Sequence, residues 1–319
     1  MPHSFMILKT RICLFLILFP VIAFSQLRNG TYNVTLNGVR HWCRIAGAEH
    51  QTTPLIIVHG GPGGNHYVFE RTSGKKLEEF ATVIYYEQRG SGRSEEPPGG
   101  DYSVPILVGD LEALRKYFAI EKFVPVGYSF GASLALEYAL THPQNVKGLV
   151  LESFATLQDS SVLLSQMANF YSQAAAVKRT RMDSILKSGA SLADQNMAFW
   201  KIASKDDVLR FLFKDTLQGK KVLDMWAESK LGNTGKMMAA LLKEKRSENL
   251  YDVAGRVRVP TLILLGVYDR NGAFPASLRL KDEIRSSQLV LFENSAHFPD
   301  VEQSEKFAEA IRNWRLKDP

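Results

Sequence analysis

Cysteine is nearly missing from this chain, with only Cys13 and Cys43 among 319 residues. A small secreted scaffold held by several bridges is thereby excluded, and stability has to come from a packed core. Metal-ligand patterns are missing too. There is no H-E-x-x-H, and no histidine pair has ligand spacing, so no metal is expected. No phosphate loop or dinucleotide fingerprint occurs. The glycines of GSGRS, 90–94, lack the full spacing and a following helix start, so no cofactor is expected. Charge of one sign is scarce. The formal net charge is +6, and losing Lys9 and Arg11 with a leader would make it +4. The one short basic run, LKEKR at 242–246, is interrupted by Glu244. It reads as a solvated helix face, so no nucleic-acid partner is expected. Internal repeats and low-complexity tracts are absent as well.

Long apolar runs are also lacking. The longest, Ile12 to Phe24, contains Pro20 and is shorter than the ~20 residues a spanning helix needs. It follows a basic start, MPHSFMILKTR, and precedes small residues at 23 and 25. Basic start, apolar middle and small-residue end form the layout of a secretory signal peptide over 1–25. Cleavage before Gln26 predicts an exported protein, periplasmic or extracellular, with no stable membrane span. An uncleaved anchor is the other account. Cys43 sits in the alternating stretch RHWCRI and reads as a packed structural thiol.

What is present is a globular composition, 45% apolar and 23% charged. Residues 32–45 alternate and are broken by Asn37-Gly38, a hairpin signal. Apolar runs bounded by turns follow at 54–60, 81–90, 123–129, 146–153, 260–266 and 288–295. They are apolar on both parities, as strands covered on both faces are. Helical patterns at 104–118, 131–141, 277–284 and 304–314 alternate with them, which predicts an α/β fold with a mostly parallel sheet. The rhythm breaks at 155–249, where helices are expected at 161–177, 192–201, 207–212, 222–231 and 236–246. The organisation predicted is a leader (1–25), a first core part (26–154), an inserted helical cap (155–249) and a second core part (250–319).

GYSFG, 127–131, follows the strand run FVPV and opens a helical stretch. G-x-S-x-G in a strand–turn–helix context exposes the serine at the top of a sheet. Ser129 is therefore the candidate nucleophile. Its partners are expected in the order acid, then histidine, each just past a strand. Asp269 in PTLILLGVYDRNG and His297 in QLVLFENSAHFPD occupy those positions. Asp282 and Asp300 are rival acids. His59 reads as a turn residue, and His66 as a residue of the pocket entrance. The nucleophile's oxyanion needs donors. Phe130 N–H follows the serine, and the glycine-rich HGGPGG, 59–64, offers Gly61 N–H before Pro62, which has none.

Together HGGPG (59–63), YEQRGSGRS (86–94), GYSFGASL (127–134), LLGVYD (264–269) and NSAHFPDVEQ (294–303) resemble the proline iminopeptidase family of α/β-hydrolases. The resemblance covers 27–153 and 250–314. It implies a serine aminopeptidase that releases N-terminal residues, often proline, from short peptides. The helical block agrees with that family's cap. Two departures stand out. Glu87 replaces the usual Asp before Gln-Arg-Gly, and Phe130 replaces the usual Trp, which bears on substrate preference. In the family, cap carboxylates hold the substrate's free ammonium. Here the resemblance implies Glu228 in MWAES or, second, Asp224, with a solvated helix face as the competing account. An esterase, lactonase or amidase on the same scaffold is the alternative for a small peptide or ester substrate. A binding protein without turnover is the remote third.

Overall fold

The structure is a computed structural model and is described for residues 27–156, 159–232, 234–244 and 248–317. The expected leader lies outside them. Among the described residues, no helix is long and apolar enough to cross a membrane.

Asn37-Gly38 makes its hairpin. Both residues have positive φ, 46° and 79°, as a two-residue turn between twisted strands requires. It joins β1 (Gly30–Leu36) to β2 (Val39–Ala46). The remaining strands are β3 (Leu55–Val58), β4 (Val83–Tyr86), β5 (Val124–Tyr128), β6 (Leu149–Glu152), β7 (Thr261–Gly266) and β8 (Ser287–Phe292). The sheet order is β1-β2-β4-β3-β5-β6-β7-β8. Strands β3 to β8 run parallel, and β2 is antiparallel to both neighbours.

The unbroken apolar runs serve two cores. Ile56, Val58, Ile84 and Tyr86 face one, while Leu55, Ile57, Val83 and Tyr85 face the other. Helices close both sides. Between β3 and β4 lie α1 (Tyr67–Arg71) and α2 (Ser73–Glu78), and α3 (Val104–Tyr117) and α4 (Phe130–Thr141) flank β5.

After β6 the chain leaves the sheet for α5 (Ser160–Gln173), α6 (Ala176–Leu186), α7 (Leu192–Ile202), α8 (Lys205–Leu212), α9 (Thr216–Ser229) and α10 (Lys236–Leu241). It returns through α11 (Leu250–Ala254). The last helices are α12 (Ala273–Glu283), α13 (Pro299–Glu302) and α14 (Ser304–Lys317). The helical block has its own core, including Met167, Phe170, Met182, Phe199 and Phe211. A second cluster, Leu209, Phe213 and Val222 with Val68 and Val301, fastens it to the sheet domain.

Local details differ from the sequence reading. The single helix expected at 161–177 breaks at Ala174-Ala175, where ψ is 142° and 154°. Alanines favour helix, so the break is made by packing. Ala174 is buried, its carbonyl accepts from Arg179 Nε at 2.8 Å, and Tyr171 Oη donates to Asp183 across the corner at 2.9 Å. Helix α9 starts at Thr216 rather than 222, because Asp215 accepts from Leu217 and Gln218 N–H as its N-cap.

Candidate active site

Ser129 joins β5 to α4 with φ 54° and ψ −124°. A non-glycine residue held there stores about 1–3 kcal/mol of strain. The flanking glycines make the turn possible. A Cβ at Gly127 would strike Gly131 O, and one at Gly131 would strike Val58 O. The Ser129 N–H donates to Glu152 O at 2.9 Å, fixing the turn to the end of β6.

The other two sequence candidates arrive from neighbouring strand ends. Asp269 follows β7, and His297 follows β8. The loops carrying them touch, since a Cβ at Gly266 would strike Ala296 O. His297 Nδ1–H donates to Asp269 Oδ2 at 2.7 Å, and Ser129 Oγ–H donates to His297 Nε2 at 3.1 Å. Asp269 Oδ1 accepts Asn271 N–H at 2.7 Å, which orients the carboxylate. Both acid and histidine are buried. The rival Asp282 is exposed on α12. Asp300 is buried near the histidine, but its N–H donates to Glu152 Oε1 at 2.9 Å and its carboxyl does not take the histidine's Nδ1–H.

HGGPGG runs past Ser129. A methyl on Gly60 would sit 3.0 Å from Ser129 Cβ. Gly61 and Phe130 both line the cavity beside Ser129. Among the described residues, neither amide N–H donates to a protein acceptor. The EQRG loop braces this loop from below. Gln88 Nε2 donates to His59 O at 2.8 Å, and Gln88 N–H donates to His59 Nε2 at 3.1 Å. His59 Nδ1–H therefore donates to Gly60 O, at 2.9 Å. Burial holds this ring neutral, with its pKa lowered to about 4. Arg89 forks onto Asp110 with bonds of 2.6 and 2.7 Å. Glu87 accepts from Arg93 N–H and from Arg93 Nη1, and burial pushes its pKa up to about 7.

His66 is not at the pocket entrance. It is buried, stacked between Trp42 at 4.8 Å and Tyr85 at 5.3 Å, with Nδ1 3.3 Å from Glu87. The loop turns it against β2 and β4, where Trp42 and Tyr85 offer it a flat slot. Cys43 is buried, and burial raises its thiol pKa.

Ser129 and His297 line a cavity of about 760 Å³ between the sheet and the helical block, with Asp269 behind the ring. Its walls are mostly apolar, among them Leu163, Met197, Trp200, Leu212, Trp226 and Met238. Asp224 and Glu228 do not line it. Val222 and Trp226 take the inward face of α9, and the two acids stand on the exposed face. Two residues along a helix is a turn of roughly 200°, so residues inward at 222 and 226 leave 224 and 228 outward. The cap-acid expectation therefore does not fit this geometry. Among the described residues, the acidic and basic side chains lining the cavity besides His297 are Lys201 and Asp300.

Sequence reasoning did not single out Asn271, Gln166 or Asn196, all of which line the cavity. Asn271 lay in plain view two residues after the acid. The other two had only their polarity on otherwise apolar helix faces as a signal.

The chain matches the alpha/beta hydrolase fold family over residues 53–302. It is 28% identical to a proline iminopeptidase of Saccharolobus solfataricus, with 87% of this chain and 89% of that one aligned. It is also 28% identical to a proline iminopeptidase of Lactobacillus crispatus, over 87% and 94% of the two chains. Its structure resembles that of a proline iminopeptidase-related protein from Thermus thermophilus, with a TM-score of 0.75, 22% identity, and 92% and 99% of the chains covered. It also resembles a thermophilic esterase from Thermogutta terrifontis, with a TM-score of 0.66, 20% identity, and 90% and 98% covered. The structural likeness concerns the fold, and so does the eight-stranded, mostly parallel sheet. The chain belongs to the alpha/beta hydrolase fold family.

Proposed function

We propose that this hydrolase is a serine enzyme that cleaves an acyl bond through an acyl-enzyme. The observation that carries the reading is the hydrogen-bonded order Ser129–His297–Asp269, at 3.1 and 2.7 Å, with Ser129 and His297 lining one cavity. Ser129 Oγ attacks the carbonyl carbon as His297 Nε2 takes its proton. Asp269 holds Nδ1–H and stabilises the imidazolium. The N–H groups of Gly61 and Phe130 receive the oxyanion. His297 returns the proton to the leaving amine or alcohol, and water, activated the same way, releases the acid.

For the substrate, the first reading is an aminopeptidase that frees an apolar N-terminal residue from short peptides. Its support is the proline iminopeptidase relatives, aligned over most of the chain. A second reading, an esterase or amidase for a neutral acyl group, has its own support. No cap carboxylate lines the cavity among the described residues, and a buried ammonium without such a partner binds poorly. A paired assay separates them. The free-amine prolyl or alanyl arylamide is compared with its N-acylated form and with a short-chain aryl ester. Cleavage of the free amine alone selects the aminopeptidase, whereas cleavage of the ester alone removes it. If no acyl substrate is cleaved and a fluorophosphonate does not label Ser129, the serine-enzyme reading is wrong. Export rests on the leader features over 1–25, and N-terminal sequencing of the recovered protein should begin at Gln26.

A further inference from the structure

A chain of side-chain amides runs from the cap to the candidate base. Asn196 Nδ2, on α7, donates to Gln166 Oε1 at 2.9 Å. Gln166 Nε2, on α5, donates to Asn271 Oδ1 at 3.0 Å and to Asn271 O at 3.1 Å. Asn271 Nδ2 donates to His297 Nε2 at 3.1 Å. The same nitrogen accepts from Ser129 Oγ, also at 3.1 Å. With Nδ1–H given to Asp269, the single lone pair of Nε2 faces two donors.

Each amide is oriented by its far partner. Gln166 turns its NH2 to two oxygens of Asn271, leaving Oε1 for Asn196. Asn271 Oδ1 is occupied by Gln166, so its NH2 faces the ring. A donor aimed at Nε2 stabilises the neutral imidazole and opposes the imidazolium, which has no lone pair left there.

We propose that Asn271, held in this orientation by Gln166 of the cap, is a positioning residue that lowers the basicity of His297. The proposal rests on His297 being the general base. Asn271 can turn its Oδ1 toward a protonated Nε2 only when Gln166 lets go. An occupant that takes up the Gln166 amide, which lines the cavity, therefore readies the base as it binds.

Other charged groups face His297. Asp269 does so from the β7–α12 loop, and Asp300 from α13 with Glu152 behind it at the end of β6. Lys201 lines the same cavity from α7. None of these contacts passes through Gln166, so a change made at Gln166 isolates the amide chain.

The test is an NMR titration of the His297 ring in the purified protein, assigned with His297→Gln. The variants are Asn271→Ala, Gln166→Leu and Asn169→Leu. Asn169 Nδ2 also ties α5 to the same loop, at Arg270 O and 3.1 Å, but does not touch Asn271's side chain. The expected result is a His297 pKa higher by about one pH unit in Asn271→Ala and in Gln166→Leu. The acid limb of kcat/KM on an aryl ester should rise with it, and Asn169→Leu should stay at the wild-type value. A purely structural grip on the loop would lower activity at every pH and move no pKa. An unchanged pKa in Gln166→Leu, or an equal shift in Asn169→Leu, overturns the proposal. Gln166 does not touch the ring, so its variant decides the matter should Asn271→Ala fail to fold. Fluorophosphonate labelling of wild-type Ser129 is run alongside. If labelling fails while the pKa shifts appear, the serine-enzyme reading falls and only the effect of the amide chain on the His297 ring stands.

Discussion

The N–H of Asp300 donates to Glu152 Oε1 at 2.9 Å, so two carboxyl groups meet in the interior beside the Ser129 turn. Glu152 Oε2 and Asp300 Oδ1 find no hydrogen-bond partner among the described residues. Burial, then the charge of Asp300, raises the pKa of Glu152, and burial raises that of Asp300. Two such buried groups side by side do not both ionise readily, so the folded pair keeps a proton that the unfolded chain releases. Both folded values lie above the unfolded ones. The pair's stability is then fully present below the ordinary carboxylate range, and it is lost as pH rises through the folded values. Glu152→Gln is expected to flatten this fall and to be more stable than wild type by about 1–3 kcal/mol above neutral pH. Denaturant melts of both proteins across pH check it, and parallel curves would refute it.

Ser129→Ala is expected to lower turnover by at least about 10⁴-fold with the fold intact. Ser129→Gly should lose activity equally but gain about 1 kcal/mol of stability, because glycine takes φ 54° without strain. Stopped turnover together with a raised melting temperature is the signature to look for. A lowered one would mean the serine side chain holds the turn.

Gly131→Ala should not be tolerated. Its Cβ would strike the backbone carbonyls of Val58 and His59, which belong to β3 and its loop and cannot step aside. A cost of at least about 3 kcal/mol is expected, read as a fall in soluble yield and in the denaturation midpoint. A near-neutral substitution would contradict the close approach of α4 to β3.

Asp224→Ala with Glu228→Ala should leave kcat/KM within about twofold on both arylamide and ester, as exposed substitutions away from a site do. A large, selective loss on the free-amine substrate would place these acids in the site after all.

Much of this was legible in the sequence, for reasons tied to particular residues. The strand-ending positions of Ser129, Asp269 and His297 could be read because backbone rules dictate them. Glycines 127 and 131 mark a turn that other residues cannot make. Apolar runs such as LIIV mark strands covered on both faces. Cap details were less legible. Helix α9 was seen, but its rotation was not. The phase that sends Trp226 inward and Glu228 outward is set by contacts with Phe298 and Val301, far along the chain. His66 was misplaced for a similar reason. Nothing local says that Trp42 and Tyr85 will stack around it. Glu152 and Asp300 are 148 residues apart, and only the sheet brings them together.

The helical block occupies a connection that the sheet needs in any case, since neighbouring parallel strands β6 and β7 must be joined by a crossover. Closing a longer loop costs only a logarithmic increment, so its length and sequence are nearly free to drift or to be exchanged. What is not free is the set of contacts that ties it to the sheet domain. Gln166 and Asn169 hold the loop after β7, Arg210 O accepts from Arg270 Nη1 at 2.6 Å, and Leu212 O accepts His297 N–H at 3.0 Å. A transplanted cap would have to carry those four positions, the contacts of Lys214, Asp215 and Gln218 with Glu302 and Val301, and the Leu209, Phe213 and Val222 cluster, while its solvent-facing surface is open to redesign.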